Sequence, residues 1–220
     1  MKKNINLFIS IFFLLAFIVF TIIVKTVDVT FIVTNGTYIG LSHFNYEVGN
    51  WVISLSKMKD MKVISDILFY IALGYSTIFF AIGVYQWIKG KSLKAVDKEI
   101  YLLAAIYVVI GLIYLVFEIV KVNYSPLSDN GLKASYPSTH VFVGASLTLV
   151  NTFIAVKMLK IDAKLFRLII YTSSIIICLL LAFTRLLSLK HWCSDIIACL
   201  MLIPAVYFLF LHFYKYLQKE

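Results

Sequence analysis

Charged side chains are scarce in this chain. Aspartate, glutamate, lysine and arginine make up only 14% of its 220 residues, whereas hydrophobic residues make up 62%. A soluble domain is nearer half apolar, with roughly 25% charged residues. The composition therefore excludes an ordinary soluble domain and predicts an integral membrane protein, with one domain over residues 1–220.

Cysteine and proline are also rare, with three of each. Cys178, Cys193 and Cys199 lie in or beside apolar runs, and they include no C-x-x-C pair. This pattern implies no disulfide framework. We interpret the three cysteines as small apolar side chains within the membrane.

Long apolar runs are abundant. A membrane-spanning helix needs about 20 consecutive apolar residues. Six runs suit such helices, at roughly residues 7–25, 64–88, 99–120, 140–158, 167–187 and 194–214. We therefore predict an all-α bundle of six transmembrane helices. The first run has a basic start, as a signal peptide does, but no A-x-A-like cleavage site follows it, so we expect an uncleaved first span.

The positive charge is unevenly distributed. A net charge of +9 would suggest nucleic-acid binding in a soluble protein. Here most lysines lie before the first span, after the second, after the fourth and after the sixth, which places them on one side of a six-span bundle. The positive-inside rule then predicts cytoplasmic termini. Because this distribution accounts for the charge, we expect no nucleic-acid partner. Lys57, Lys59 and Lys62 lie on the other side, so the asymmetry is incomplete.

One external connection, "TRLLSLKHWCSD", carries three residues suited to phosphate chemistry. If the sixth span begins near His191, the i,i+4 spacing places His191 and Asp195 on one helical face. The carboxylate can then accept the Nδ1 proton and leave Nε2 free as a nucleophile or base. Arg185 offers a planar fork for phosphate oxygens. A snorkelling arginine with a helix-start ion pair explains the same residues without catalysis.

A second stretch, "YPSTHVFVGASL", opens the fourth predicted span. Pro137 ends the preceding loop, and Ser138 suits the N-cap position. Free backbone N–H groups at a helix N-terminus bind anions, and the Ser138 hydroxyl adds a donor. His140 would stand at the edge of this anion site, where it can protonate a leaving oxygen. The alternative is a capped helix with an interfacial histidine.

Both stretches lie on the same external face in the predicted topology. Together they supply what phosphoryl transfer through a phosphohistidine requires. "YPSTH" and "R-x5-H-x3-D" resemble the second and third signature motifs of the type 2 phosphatidic acid phosphatase superfamily, which includes bacterial lipid phosphatases and undecaprenyl pyrophosphate phosphatases. The usual motifs are P-S-G-H and S-R-x5-H-x3-D, so Thr139 replaces a glycine and Thr184 replaces a serine. The resemblance covers about Lys121 to Asp195.

The resemblance implies a role for each motif residue. His191 becomes the nucleophile, Asp195 its orienting partner and His140 the acid that protonates the leaving group. The phosphoryl oxygens would be held by Lys121, Ser138, Arg185 and the backbone N–H of Thr139. We therefore expect hydrolysis of a lipid phosphate or pyrophosphate at the outer face of a bacterial cell membrane, with no metal and no cofactor.

The first family motif, K-x6-R-P, is incomplete. Lys121 matches its lysine, but the arginine position falls on Ser128, and the local Ser125-Pro126 pair has a serine before the proline. Lys133 and Lys190 are other sources of positive charge. Loss of one phosphate-binding group costs a few kcal/mol of transition-state stabilisation. A weak or inactive family member that binds phosphorylated head groups is therefore the first alternative.

An unrelated six-span transporter is the second alternative. Transporters place ionisable residues near the bilayer midplane. The acidic residues deepest in the predicted spans are Asp66 and Glu118, and both lie near span ends. The sequence predicts neither the lipid nor the oligomeric state.

Overall fold

A computed structural model describes residues 4–32, 36–55, 58–126 and 133–218 of the chain. Lys57 and Ser128 lie outside these residues. So do Lys2, Lys3 and Lys219, which belong to the lysines before the first span and after the sixth. The described helices are α1 Ile5–Thr26, α2 Ser42–Ser54, α3 Met58–Gly90, α4 Lys98–Ile119, α5 Thr139–Met158, α6 Lys164–Leu187 and α7 Cys193–Leu217. A short 3-10 helix covers Leu93–Ala95, and the strands are β1 Thr30–Ile32 and β2 Thr37–Ile39.

Six of these helices, all except α2, are long and apolar enough to cross a membrane. The predicted six-span helical bundle is therefore confirmed, and the predicted spans agree with the helices to within a few residues at most ends. The largest difference is at α3, which begins at Met58 instead of near residue 64. The polar side chains of Lys59, Asp60 and Lys62 end the apolar run, but they do not prevent the helix from continuing beyond the hydrocarbon layer.

Helix α5 lies at the centre of the bundle. Its most apolar window is 67% buried, against 11% to 44% for the other five spans. Small residues permit this burial, since helices in membranes pack closely where side chains are small. A Cβ added at Gly144 would lie 2.7 Å from Leu181 Cδ2 on α6 and 3.3 Å from Phe69 Cδ2 on α3. Gly144 therefore lets both neighbouring helices approach α5.

A β-hairpin and a short helix occupy the segment between α1 and α3. Strands β1 and β2 pair antiparallel, with Thr30 opposite Ile39 and Ile32 opposite Thr37. The all-α prediction omitted this hairpin, although an Asn-Gly pair between β-branched residues is a hairpin signal in the sequence. After β2, a Cβ at Gly40 would clash with the backbone carbonyl of Val24 in α1. Only glycine permits this close approach.

Asp28 supports the start of α2 from outside the helix. Its Oδ2 accepts the backbone N–H of His43 at 2.7 Å, and its Oδ1 accepts the hydroxyl of Ser42 at 2.9 Å. The hydrogen bond from His43 and then the one from Ser42 lower the pKa of Asp28, because both favour the charged carboxylate. The carboxylate therefore satisfies donors that the first turn of a helix leaves free.

Asn45 ties α2 to the start of α7. It is fully buried. Its amide nitrogen donates to the Gly40 carbonyl at 2.8 Å and to Ser194 Oγ at 2.9 Å, while its Oδ1 accepts the backbone N–H of Ser194 at 3.1 Å. One side chain thus joins the hairpin, α2 and α7.

We expect Asn45→Ala to lower the free energy of unfolding by about 1–3 kcal/mol, because it leaves buried polar groups of Gly40 and Ser194 without partners. Thermal unfolding in detergent measures this effect. Asn50→Ala is the matched control, since Asn50 lies on the exposed face of the same helix. Equal melting temperatures for the two variants would contradict a tethering role for Asn45.

The connections between helices divide between the two ends of the bundle. At one end, Lys215 Nζ lies 3.3 Å from Asn6 Oδ1 and Gln218 Nε2 donates to Glu99 Oε1 at 2.9 Å. We name the other end the motif end. It comprises residues 27–32, 36–55, 120–126, 133–138 and 188–192, and it adjoins the starts of α3, α5 and α7 and the end of α6.

Candidate active site

The structure brings the two sequence motifs together at the motif end. The backbone N–H of Ser138, immediately before α5, donates to the carbonyl of Asp195 in α7 at 3.3 Å. The thiol of Cys199 donates to the carbonyl of Ser138 at 3.3 Å. The start of α5 is therefore fixed against the first two turns of α7.

His191 lies in the connection between α6 and α7 and is 7% exposed. Its Nδ1 is 2.7 Å from the carbonyl oxygen of Ser135. A carbonyl oxygen can only accept a hydrogen bond, so Nδ1 carries the proton. In the neutral ring Nε2 is then unprotonated, with its lone pair available. The sequence predicts this tautomer with Asp195 as the acceptor, and no motif marks Ser135.

Asp195 differs from its expected position. It is fully buried, and its Oδ2 lies 3.7 Å from His191 Nδ1, which is beyond hydrogen-bond distance. The same oxygen accepts the backbone N–H of Trp192 at 2.9 Å. The reason is that α7 begins at Cys193, so His191 precedes the helix and the carboxylate caps the helix start. Asp195 therefore faces His191 as a nearby negative charge and not as the acceptor of its Nδ1 proton.

Asn123 supports Asp195 from the connection between α4 and α5. Its Nδ2 lies 3.5 Å from Asp195 Oδ1 and 3.3 Å from Ser194 Oγ. Its Oδ1 accepts the backbone N–H of Gly40 at 2.9 Å. Asn123 is fully buried. No sequence motif marks this residue, because its role depends on contacts with segments more than 70 residues away.

Ser138 is the N-cap residue of α5, as predicted, but its hydroxyl makes no capping hydrogen bond. The side chain is fully buried, and Oγ has no hydrogen-bond partner among the described residues. The next two residues, Thr139 and His140, line a cavity. A buried hydroxyl is therefore left without a partner at the start of the helix.

Tyr136 anchors the loop that precedes Pro137. It is 1% exposed, its hydroxyl lies 2.8 Å from Thr21 Oγ1, and its ring stacks on Phe17 at 6.2 Å between centroids. Burial raises the pKa of Tyr136 above its ordinary value. The phenol therefore stays protonated at neutral pH and serves as a structural contact.

Arg185 lies in the last turn of α6 and is 7% exposed. Its Nη1 donates to Asp66 Oδ1 of α3 at 3.1 Å. Its Nε is buried and has no partner among the residues that the structure describes. The guanidinium is thus held at one end and keeps other donors for a ligand in the cavity that it lines.

Asp66 is a further site residue that no sequence motif marks. It was weighed only as a transporter residue near a span end. Besides its contact with Arg185, the Asp66 carboxylate lies near two other side chains. His140 Nε2 is 3.8 Å from Oδ1, and Lys62 Nζ is 3.4 Å from Oδ2. The sequence signal was an acidic residue within an apolar helix, which is a functional hypothesis by default.

The region of the first motif contributes a different lysine to the cavity from the one that the sequence predicts. Lys121 is exposed and is not one of the described residues that line the cavity, whereas Lys133 is. Ser125, which precedes Pro126 where the family motif has an arginine before its proline, is buried. Its hydroxyl donates to the Lys190 carbonyl at 3.1 Å, and its N–H donates to the Lys133 carbonyl at 3.0 Å. Ser125 therefore joins two connections of the motif end.

The cavity has a volume of about 850 Å³. Its polar lining at the motif end comprises Glu118, Lys133, Thr139, His140, Arg185 and His191. The rest of its lining comes from α3, α4 and α5, mainly apolar and aromatic: Phe69, Leu73, Phe80, Ile110, Tyr114, Val143 and Leu147. A polar head and an apolar wall thus belong to one cavity. No group of three His, Cys, Asp or Glu side chains is placed to hold a metal ion among the described residues.

Three polar side chains meet deep in the wall of this cavity. The Tyr107 hydroxyl donates to Asn151 Oδ1, and Asn151 Nδ2 donates to Ser76 Oγ at 2.9 Å. The Ser76 hydroxyl in turn donates to the Ala72 carbonyl at 3.1 Å. We name Ser76, Tyr107 and Asn151 the polar trio. It links α3, α4 and α5 within the membrane.

A solved structure has the same arrangement of helices. It is the crystal structure of a transmembrane PAP2-type phosphatidylglycerolphosphate phosphatase from Bacillus subtilis, which matches 94% of this chain and 96% of its own with a TM-score of 0.67. This chain has the PAP2-type fold. The sequence identity is 16%, and no family model and no curated protein matches the sequence. The likeness therefore rests on structure.

The PAP2-type fold confirms the architecture that the motif resemblance implied. Within it, four of the residues proposed from sequence line one cavity: Thr139, His140, Arg185 and His191. Ser138 and Asp195 pack directly behind them. Lys121 stands apart from this group, and Lys133 and Asp66 join it.

Proposed function

We propose that this protein is a membrane lipid phosphatase that hydrolyses a lipid phosphate or pyrophosphate through a phosphohistidine on His191. One observation carries the proposal: His191, whose Nδ1–H donates to the Ser135 carbonyl, lines the same cavity as Arg185 and His140. A nucleophile, a permanent cation and a second histidine therefore face one space, in a chain with a PAP2-type fold.

In the first step, the Nε2 lone pair of His191 forms a bond to phosphorus while the bond between phosphorus and the lipid oxygen breaks. The leaving oxygen takes a ring proton from the imidazolium of His140. Arg185, Ser138 and the Thr139 N–H donate to the phosphoryl oxygens, where negative charge develops. The buried, unpartnered Nε of Arg185 and Oγ of Ser138 support this role, since buried donors normally have partners.

In the second step, water attacks phosphorus and the N–P bond breaks, returning its electron pair to His191. His140 accepts the proton of that water and so recovers its charged form. The products are inorganic phosphate and the lipid alcohol, or the lipid monophosphate when the substrate is a pyrophosphate. The carboxylate of Asp195, 3.7 Å from Nδ1, stabilises the positive charge on His191 during transfer.

A lipid substrate is supported by the walls of the cavity. Apolar side chains of α3, α4 and α5 continue directly from the polar head of the site. Ligand sites of this kind bind an apolar body and fix it with a few polar groups. A hydrocarbon tail can thus remain in an apolar environment while its phosphate reaches His191.

We place the motif end on the outer side of a bacterial cell membrane. The opposite end carries the larger share of lysines, including those around Lys91 and Lys160 and the one at Lys215. The positive-inside rule assigns such an end to the cytoplasm. Lys59 and Lys62 at the motif end make this asymmetry partial.

A weak or inactive phosphatase that binds phosphorylated head groups is the second candidate. It is favoured by the exposed position of Lys121 and by the absence of arginine from residues 120–138. Lys133 in the cavity lining is the group that would compensate. The transporter alternative loses support, because Asp66 pairs with Arg185 at the motif end and not at the bilayer midplane.

The test is phosphate release by the purified protein from a panel of lipids: phosphatidate, phosphatidylglycerophosphate, undecaprenyl pyrophosphate and sphingoid phosphates. We expect release from at least one lipid and unchanged rates in the presence of a metal chelator. Release in unpermeabilised right-side-out vesicles tests the outer-face placement. Binding of vanadate without turnover of any lipid would favour the second candidate, and activity only with added metal would contradict the mechanism.

A further inference from the structure

Asp66 places a negative charge beside a site that is built to bind anions. Its carboxylate contacts Arg185 at 3.1 Å and lies 3.8 Å from His140 Nε2. A carboxylate here repels a phosphate, so its presence has to serve another purpose. Pairing with Arg185 is one purpose, but it does not explain why the same oxygen, Oδ1, also faces His140.

His140 needs a compensating negative charge in order to act as an acid. Its neighbours bring positive charge from each side of the cavity. Among the described residues, the charged and titratable groups that act on it are Asp66 from α3, Arg185 from α6, Lys133 from the connection before α5 and His191 from the connection before α7. Glu118, at the end of α4, lines the same cavity. A proton on His140 adds a further positive charge to this group. Asp66 is the member of the group that offsets it.

The position of His140 also depends on α3. Its ring lies 4.4 Å from the ring of Phe69, three residues after Asp66 on that helix. Residues three apart share a helix face, so Asp66 and Phe69 form one surface against which the imidazole packs. Lys62, one turn earlier, lies 3.4 Å from Asp66 Oδ2 and leaves Oδ1 to face Arg185 and His140.

We propose that Asp66 is the positioning residue that orients His140 and favours its charged form, in which the ring acts as the acid for the leaving oxygen. This inference rests on the proposed phosphatase function. When the bond between phosphorus and the lipid oxygen breaks, that oxygen takes the His140 proton, and Asp66 stabilises the charged ring until then. Asp66 acts through His140 and does not touch the substrate.

Leaving groups of different basicity separate this role from a purely structural one. A lipid alkoxide is strongly basic and needs a proton, whereas 4-nitrophenolate leaves without one. General acid catalysis contributes about 10²-fold to 10⁴-fold. We therefore expect Asp66→Asn to lower kcat for a lipid alkyl phosphate about a hundredfold or more, with KM changed little. For 4-nitrophenyl phosphate the same variant is expected to change kcat by less than about fivefold, because that reaction does not need the acid.

His140→Asn is expected to show the same dependence on the leaving group. Asp66→Glu retains the charge and is expected to recover part of the activity towards the lipid phosphate. Asp60→Asn is the matched control, since Asp60 is exposed on the same helix. We expect it to behave as the unmodified protein.

Three results would overturn the inference while the proposed function stands. They are equal losses of kcat on both substrates in Asp66→Asn, full retention of lipid-phosphate activity in that variant, and no recovery in Asp66→Glu. If thermal unfolding shows that Asp66→Asn does not fold, Asp66→Glu decides: a larger loss on the lipid phosphate than on 4-nitrophenyl phosphate supports the inference, and equal losses overturn it. If the unmodified protein releases phosphate from neither substrate, the proposed function itself fails, and the inference fails with it.

Discussion

His191→Ala is expected to abolish phosphate release from the lipid substrate. Removing a catalytic nucleophile lowers kcat by about 10⁴-fold or more, because the remaining donors can only bind and polarise the substrate. His191 lines the cavity, and because its Nδ1 contacts the Ser135 carbonyl, Nε2 is the ring nitrogen left for the substrate. Phosphate release by the purified variant and by the unmodified protein, at the same concentration, measures the loss.

A covalent intermediate gives a second measurement. With radiolabelled lipid phosphate, we expect the unmodified protein to form a phosphoprotein that is labile to acid and stable to base, as phosphoramidates are. His191→Ala should not form it. His43→Ala is the matched control, because His43 is exposed on α2 and its contact is the ion pair with Glu47. Retained activity in His191→Ala, or an equal loss in His43→Ala, would contradict the mechanism.

Arg185→Lys is expected to lower kcat about 10²-fold to 10³-fold, which is the usual cost of losing one donor to the developing negative charge. Lysine keeps the charge but lacks the planar fork. In this site Nη1 of the guanidinium already donates to Asp66, so the remaining guanidinium donors are the ones left for phosphate. A lysine in its place has no second set of donors for that contact. The measurement is kcat and KM on the same lipid phosphate.

The chain offers a close control for this substitution. Arg167 is the other arginine in the sequence, and it lies at the start of the same helix, α6, at the opposite end of the bundle. Arg167→Lys should leave kcat unchanged. If both variants lose activity to the same degree, the effect belongs to helix stability or membrane insertion, and the proposed role of Arg185 is wrong.

Most of the bundle could be predicted from the sequence, because a membrane imposes a simple rule. Each span needs a long apolar helix, and six runs meet that requirement. The rule does not apply beyond the hydrocarbon layer. This is why the start of α3 at Met58, the hairpin and α2 were not part of the prediction.

The candidate site could be predicted where its residues belong to a local motif. His140, Arg185 and His191 stand in two short stretches, and the structure places all three on one cavity. Ser135 was missed because it contributes a backbone carbonyl, which any residue can provide. Asp66 was missed because it meets Arg185 across 119 residues of sequence, and only the packing of α3 against α5 and α6 brings them together.

The polar trio affects how strongly an anion is bound at the polar head of the cavity. The hydrogen bonds of the trio run in one direction. The Tyr107 hydroxyl donates to Asn151, the Asn151 amide donates to Ser76, and the Ser76 hydroxyl donates to the Ala72 carbonyl. Polar groups satisfied in this way offer few hydrogen bonds to water, so the wall favours hydrocarbon over solvent. Attraction between opposite charges grows as the local dielectric constant falls. In the proposed function, such a wall strengthens the attraction between Arg185 and the phosphate of the lipid, a group that the trio does not contact.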